Sequence, residues 1–231
     1  MTKPNQPQIS NLEDLKLFSE QIMERLKDSP YLKEKEFIKE TFKKTREQTF
    51  YNIKLRLLVI DSLFSTNMSK RYFGIDDLAN AINHTEQALI QKGSYEQLEE
   101  LFKQSYGFNR ELNGLKATSL LSKYIHFVRS GNFPIYDSLV KNAYRQINKE
   151  EKITPNLDDT NFYYALKSLN EISGINNFEL LDMTLWYSQK ITQGSFSLIY
   201  SKEDLKNKLA TTSHTSLLQE IPDDESFKQS K

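Results

Sequence analysis

The sequence predicts an all-α protein, and three observations carry that reading. Apolar residues recur at three- and four-residue steps along most of the 231 residues. No pair of alternating apolar–polar runs is joined by a hairpin turn. With 7 Gly and 6 Pro, the chain is too poor in turn residues for a sandwich or barrel.

The elements follow in order. Asn11, with Glu13 and Asp14 behind it, makes a helix start. Leu12, Leu15, Phe18, Ile22 and Leu26 then form one stripe, and Pro30 ends it. A second helix starts near Lys33 and runs through Phe37, Ile38, Phe42, Thr45, Thr49, Ile53, Leu57 and Ile60. Its last turns, from Leu57 to Phe64, have the composition of a strand but continue the helical pattern with no turn signal before them. Ser65-Thr66-Asn67 reads as the stop. Gly74 opens a helix carrying Leu78, Ala79 and Ile82 on one face. Gly93-Ser94 separates the next, whose face is Tyr95, Leu98, Leu101 and Phe102. Leu115 to Arg129 is strongly amphipathic. The turn Gly131-Asn132-Phe133-Pro134 leads to a helix from about Asp137 to Asn148. A polar linker with Pro155 precedes helices near 159–172 and 177–190, then a short one near 203–210. The expected organisation is a flexible N-terminus (1–10), one helical domain (11–210) with room for two lobes about a cleft, and a loosely ordered tail (211–231).

Composition narrows the chemistry. There is no Cys, which removes disulfides, thiol catalysis and Zn–thiolate sites. The three His residues (His84, His126, His214) are not spaced as metal ligands, so no metal and no cofactor is expected. No apolar run reaches membrane-spanning length, and MTKPNQPQIS lacks the apolar core of a secretion signal. A soluble, cytoplasmic protein without a membrane partner is the default expectation. Charges balance at 31 Lys+Arg against 31 Asp+Glu, but unevenly. Residues 33–71 hold 10 basic against 5 acidic, and 103–152 hold 9 against 4, so a basic face on a neutral protein is available for phosphates. The plainer reading is that these charges are solvated helix faces.

The densest chemistry lies between Leu112 and Val140. Asp137 sits where a helix N-cap would, and a cap is its structural explanation. Lys116 and Lys123, seven residues apart, share a helix face. Lys123 stands among Leu120, Tyr124 and Phe127. A Lys beside an apolar stripe usually snorkels out; pointing inward it is costly and marks function.

These residues resemble the helix-hairpin-helix DNA glycosylase superfamily, most closely its bacterial 8-oxoguanine-glycosylase-like branch. The hairpin matches Leu112-Asn113-Gly114-Leu115-Lys116, and the turn with the family's catalytic Asp matches Phe133-Pro134-Ile135-Tyr136-Asp137. The phrase Ser122-Lys123-Tyr124-Ile125-His126-Phe127 followed by Pro134-Ile135-Tyr136-Asp137-Ser138 looks especially like that branch. Leu185-Trp186 fits its final helix. The likeness is good over about 110–145 and extends in helix order over about 50–190.

The resemblance implies an enzyme that flips a modified base out of duplex DNA. Asp137 would stabilise the cationic sugar or activate the nucleophile. In bifunctional members a Lys amine attacks the sugar C1′ and the strand then breaks by β-elimination. The family's Lys stands at the start of the helix, where this chain has Ala117 and Thr118. The amines on offer are Lys116, 21 residues before Asp137, and Lys123, 14 before it; Lys123 lies in the better-matched phrase. The hairpin carries one Gly where the family has two. Asn113, Gly114 and Lys116 would meet the DNA backbone, with Lys116 replacing the second Gly.

Other residues carry two readings each. Asp61, in an apolar run, is either a pocket carboxylate or faces solvent one step off the stripe. Asn67 could read a base edge or simply end a helix. Tyr136, Trp186 and Tyr187 could line a base pocket, although a lone Trp on a stripe with Leu181 and Leu185 is more often core. His126 is expected to be structural, and His84 and His214 to be surface residues. Three functions therefore compete. A base-excision glycosylase, with or without lyase activity, needs an amine within reach of Asp137. A catalytically inactive module of that fold, binding nucleic acid or nucleotide in a bacterial defence or regulatory system, needs no Lys–Asp pair. A helical protein-binding scaffold leaves Asp137 as a cap and Lys123 in solvent. No phosphate-binding Gly loop or nucleophile elbow is present.

Overall fold

The computed structural model describes residues 9–64, 66, 74–104 and 117–192, and these form ten α-helices and no strand. They are α1 (Leu12–Leu26), α2 (Pro30–Lys44), α3 (Phe50–Leu63), α4 (Gly74–His84), α5 (Gln87–Lys92), α6 (Tyr95–Lys103), α7 (Thr118–Val128), α8 (Ser138–Glu151), α9 (Phe162–Ile172) and α10 (Phe178–Thr192). The expected helix at 203–210 and the tail 211–231 lie outside the described residues. Ile9, placed by sequence in a flexible terminus, is buried.

Polar side chains set the helix starts. Asn11 Oδ1 accepts from the Asp14 N–H at 2.8 Å and caps α1. Ser94 and Gln97 form a capping box at α6. Two expected boundaries are corrected. Pro30 does not end the first helix; α1 stops at Leu26, Asp28 turns the chain at φ 62°, and Pro30 occupies the first turn of α2 behind the Ser29 cap. The expected single helix from Lys33 to Ile60 is two helices. The Thr45 hydroxyl donates to the Thr41 carbonyl at 2.7 Å, and the Thr49 hydroxyl caps α3, so the chain breaks between them without Gly or Pro. The run Leu57–Ile60 is helical.

The core is organised around α7. Every residue from Thr118 to Phe127 except Ser119 is buried, so α7 is enclosed by its neighbours. α2, α3 and α5 pack on it, α4 packs on α3, and α10 lies against both α1 and α8. An aromatic cluster of Tyr95, Phe102, Phe133 and Phe162 joins α6 and α9 to the turn after α7. That turn needs Gly131, whose φ is 89°; a Cβ there would stand 2.9 Å from Glu179 Oε2.

Candidate functional site

The site is built by the segment from α7 to α8. Residues 133–136 are tied alongside α7 by two buried bonds. His126 Nδ1–H donates to the Phe133 carbonyl at 2.7 Å, and the Ser122 hydroxyl accepts from the Tyr136 N–H at 3.0 Å. This latch delivers Asp137 to the N-terminus of α8. Its Oδ1 accepts from the Leu139 and Val140 N–H groups, each at 3.0 Å, as a true N-cap. Its Oδ2 accepts from Lys123 Nζ, also at 3.0 Å.

Lys123 is 2% exposed. Its ammonium also donates to Ser119 Oγ at 3.0 Å and lies 5.8 Å from the centre of the Phe64 ring. It therefore points inward, and its charge is met by one carboxylate, one hydroxyl and one aromatic face. Burial pushes the Asp137 carboxyl up, but the Lys123 ammonium and the two backbone N–H groups outweigh it and hold the group below its ordinary value. The arrangement is an amine and a carboxylate in contact on two successive helices, the carboxylate fixed by a helix N-terminus.

A second buried pair escaped the sequence reading. Lys35, 1% exposed on α2, donates to Asp182 Oδ2 on α10 at 3.1 Å. The Tyr31 hydroxyl donates to the same oxygen at 3.1 Å. Burial first, then the charge and hydrogen bond of Asp182, pushes the Tyr31 hydroxyl well up, and the charges of Asp137 and Glu179 add to it. Tyr31 stacks on Trp186 at 3.8 Å and meets Phe64 edge-on. Phe64 thus sits between the two Lys–Asp pairs. The signal was present: Tyr31, Lys35, Ile38 and Phe42 are one buried stripe, with a Lys at an apolar register position.

The remaining sequence-predicted residues divide. Asp61 is 4% exposed and its carboxylate accepts from the Thr66 hydroxyl, so the solvent-facing reading is corrected. Tyr136 is buried against Phe162, and its hydroxyl bonds Asp159 in the linker before α9. Trp186 is half-buried in the Tyr31 stack. Asn67, Asn113, Gly114 and Lys116 lie outside the described residues. His84 is exposed. His126 is buried; burial first, then Lys35, drives its imidazole down to about 3, so it is neutral at pH 7.

A groove of about 740 Å³ opens between α2, α3, α5 and α7. Phe42, Tyr124, Phe127, Arg56 and His126 line its floor; Lys123 and Asp137 do not border it. Among the described residues no cluster of three or more His or acidic side chains could hold a metal ion, and no helix is long and apolar enough to cross a membrane. No protein-family profile, curated protein or solved structure matches the chain.

Proposed function

We propose that the protein is a DNA base-excision enzyme, a glycosylase with lyase activity, that acts on an oxidised or otherwise modified base flipped from a duplex. The observation that carries the reading is the contact between Lys123 Nζ and Asp137 Oδ2 at 3.0 Å. A cap alone would need no amine, and a Lys beside an apolar stripe would ordinarily reach solvent. Base excision uses both groups. As the bond between C1′ and the base breaks, positive charge develops on the sugar, and the carboxylate of Asp137, fixed by two backbone N–H bonds, compensates it without reorganising. The ammonium gives a proton to the departing base, which leaves neutral. The amine that remains attacks C1′, its surplus proton passes to the ring oxygen as the C1′–O4′ bond breaks and a Schiff base forms, and the Asp137 carboxylate takes the C2′ proton as the 3′ phosphate leaves by β-elimination. The exposed cations Lys43, Lys44 and Arg46 at the end of α2 suit a phosphate backbone.

The test is release of base from duplex oligonucleotides carrying 8-oxoguanine, uracil or hydroxymethylcytosine. Release from at least one duplex, abolished in Asp137→Asn with the helical circular dichroism intact, is the expected result. No release from any of the three overturns the reading for these substrates. One observation favours the second reading, a non-catalytic binding module: the groove does not border the Lys–Asp pair. Its signature is DNA binding without base release, unchanged in Lys123→Gln.

A further inference from the structure

Arg56 is buried on α3 at 5% exposure, and no carboxylate among the described residues lies within ion-pair distance of it. Three neutral acceptors hold the guanidinium. Nε donates to Thr45 Oγ1 at 2.9 Å, Nη1 to the Tyr124 hydroxyl at 3.1 Å and Nη2 to the Glu47 carbonyl at 3.3 Å. The Phe42 ring lies 5.3 Å from its centre. A guanidinium has five N–H donors, so three acceptors leave two over, and Arg56 borders the 740 Å³ groove. A buried cation without a counter-ion is costly, and an anion in the groove would supply what the fold omits.

The groove runs along α2, whose Lys39, Glu40 and Lys43 also line it. At the end near the α2–α3 loop stand Arg46 and Arg56, with the neutral Gln48, whose amide donates to the Ile82 and Thr85 carbonyls. At the other end stand Glu36 and Glu179, joined through Lys39, whose ammonium lies 3.0 Å from each. Glu36 to Lys44, the last residue of α2, is about 12 Å along the helix, and Arg46 lies just beyond it. Between them the floor is aromatic, with Phe42 packed 5.4 Å from Tyr124 and 5.7 Å from Phe127. Two arginines at one end, an aromatic floor, and at the other end two carboxylates bridged by Lys39 match a phosphate, a stacked heterocycle and its amine.

The geometry points to a phosphate seat at Arg56, with a nucleoside monophosphate as the ligand class that fills the groove. The seat uses neither Lys123 nor Asp137, so it stands or falls separately from base excision. A guanidinium with two free donors takes two phosphate oxygens at once, as an ammonium cannot.

Titration calorimetry of the full chain with deoxyadenosine 5′-monophosphate tests this, with deoxyadenosine and inorganic phosphate as comparisons. The monophosphate is expected to bind, with deoxyadenosine about tenfold weaker or worse for want of the charge-assisted contact. Arg56→Lys should weaken the monophosphate by about tenfold, since the fork is lost while the charge remains. Arg46→Ala, an exposed change that leaves the fold alone, should weaken it severalfold. A single-stranded oligodeoxynucleotide added as competitor separates the sources of phosphate. Displacement assigns the seat to a nucleic-acid backbone, and no displacement to a free nucleotide; both support a phosphate seat. Absence of binding at millimolar monophosphate overturns the proposal. So does equal binding of deoxyadenosine, or binding unchanged in both variants.

Discussion

Removing either member of the Lys123–Asp137 pair should destabilise the protein unequally, and the structure fixes which loss is larger. In Asp137→Ala, α8 loses its cap, about 1 kcal/mol. The Lys123 ammonium, 2% exposed, keeps only Ser119 Oγ and the Phe64 face. Stranding a buried charge brings the total to about 4 kcal/mol. In Lys123→Met the position becomes apolar among Leu120, Tyr124 and Phe127. Asp137 keeps two backbone N–H bonds and the helix N-terminus, and its side chain is 19% exposed, so the cost is about 1–2 kcal/mol. In the Lys123→Met background Asp137→Ala should cost little more than the cap, so the two changes couple by about 3 kcal/mol. Urea unfolding followed at 222 nm gives all four free energies, with the slope checked for constancy. A Lys123→Met cost equal to or above that of Asp137→Ala, or a coupling below about 0.5 kcal/mol, would refute the reasoning.

Three further outcomes follow from the same contacts. His126 is neutral in the fold, with its imidazole at about 3. An unfolded His titrates near 6.5, so the unfolded state binds the extra proton between these values and stability falls as pH drops below about 6.5, by up to about 1.4 kcal/mol per pH unit. His126→Asn, which keeps a donor for the Phe133 carbonyl, should flatten that slope in denaturant titrations at pH 4–7. Gly131→Ala should cost about 1–3 kcal/mol in urea, because φ is 89° and the new Cβ would meet the Glu179 carboxylate; a neutral result would show that the turn relaxes freely. Ser122→Ala leaves the buried Tyr136 N–H without its acceptor and should cost about 1–3 kcal/mol. On the base-excision reading it should also lower the rate of base release more than duplex affinity, since the latch places Asp137.

The sequence was most legible where local chemistry decides the structure. Asn11 and Asp137 cap helices because a short polar side chain ahead of an apolar stripe has orphan N–H groups to satisfy. Lys123 stands beside an apolar stripe, where a Lys usually snorkels out, and the sequence left its direction open; it is turned inward. Legibility fails where the deciding partner is distant. Lys35 meets Asp182 from 147 residues away, and a single helix pattern cannot tell a snorkelling Lys from one with a buried carboxylate waiting. The break at Thr45–Thr49 was hidden because the apolar rhythm of α2 runs on into α3. Threonine hydroxyls, which are ambiguous in sequence, end one helix and start the next. Arg56 was read only as one basic residue among ten in 33–71; its burial follows from Thr45, Glu47 and Tyr124 closing around it. The expected hairpin residues Asn113, Gly114 and Lys116 fall outside the described residues, so the site rests on Lys123 and Asp137.

Borohydride trapping on an 8-oxoguanine, uracil, hydroxymethylcytosine or abasic-site duplex, with the adduct mapped by peptide mass spectrometry, tests the central claim most directly. Schiff-base chemistry at the pair predicts a covalent adduct on the peptide containing Lys123, absent in Lys123→Gln. An adduct on Lys116 or Lys35 that persists in Lys123→Gln, or no adduct with any of the four duplexes, would contradict it.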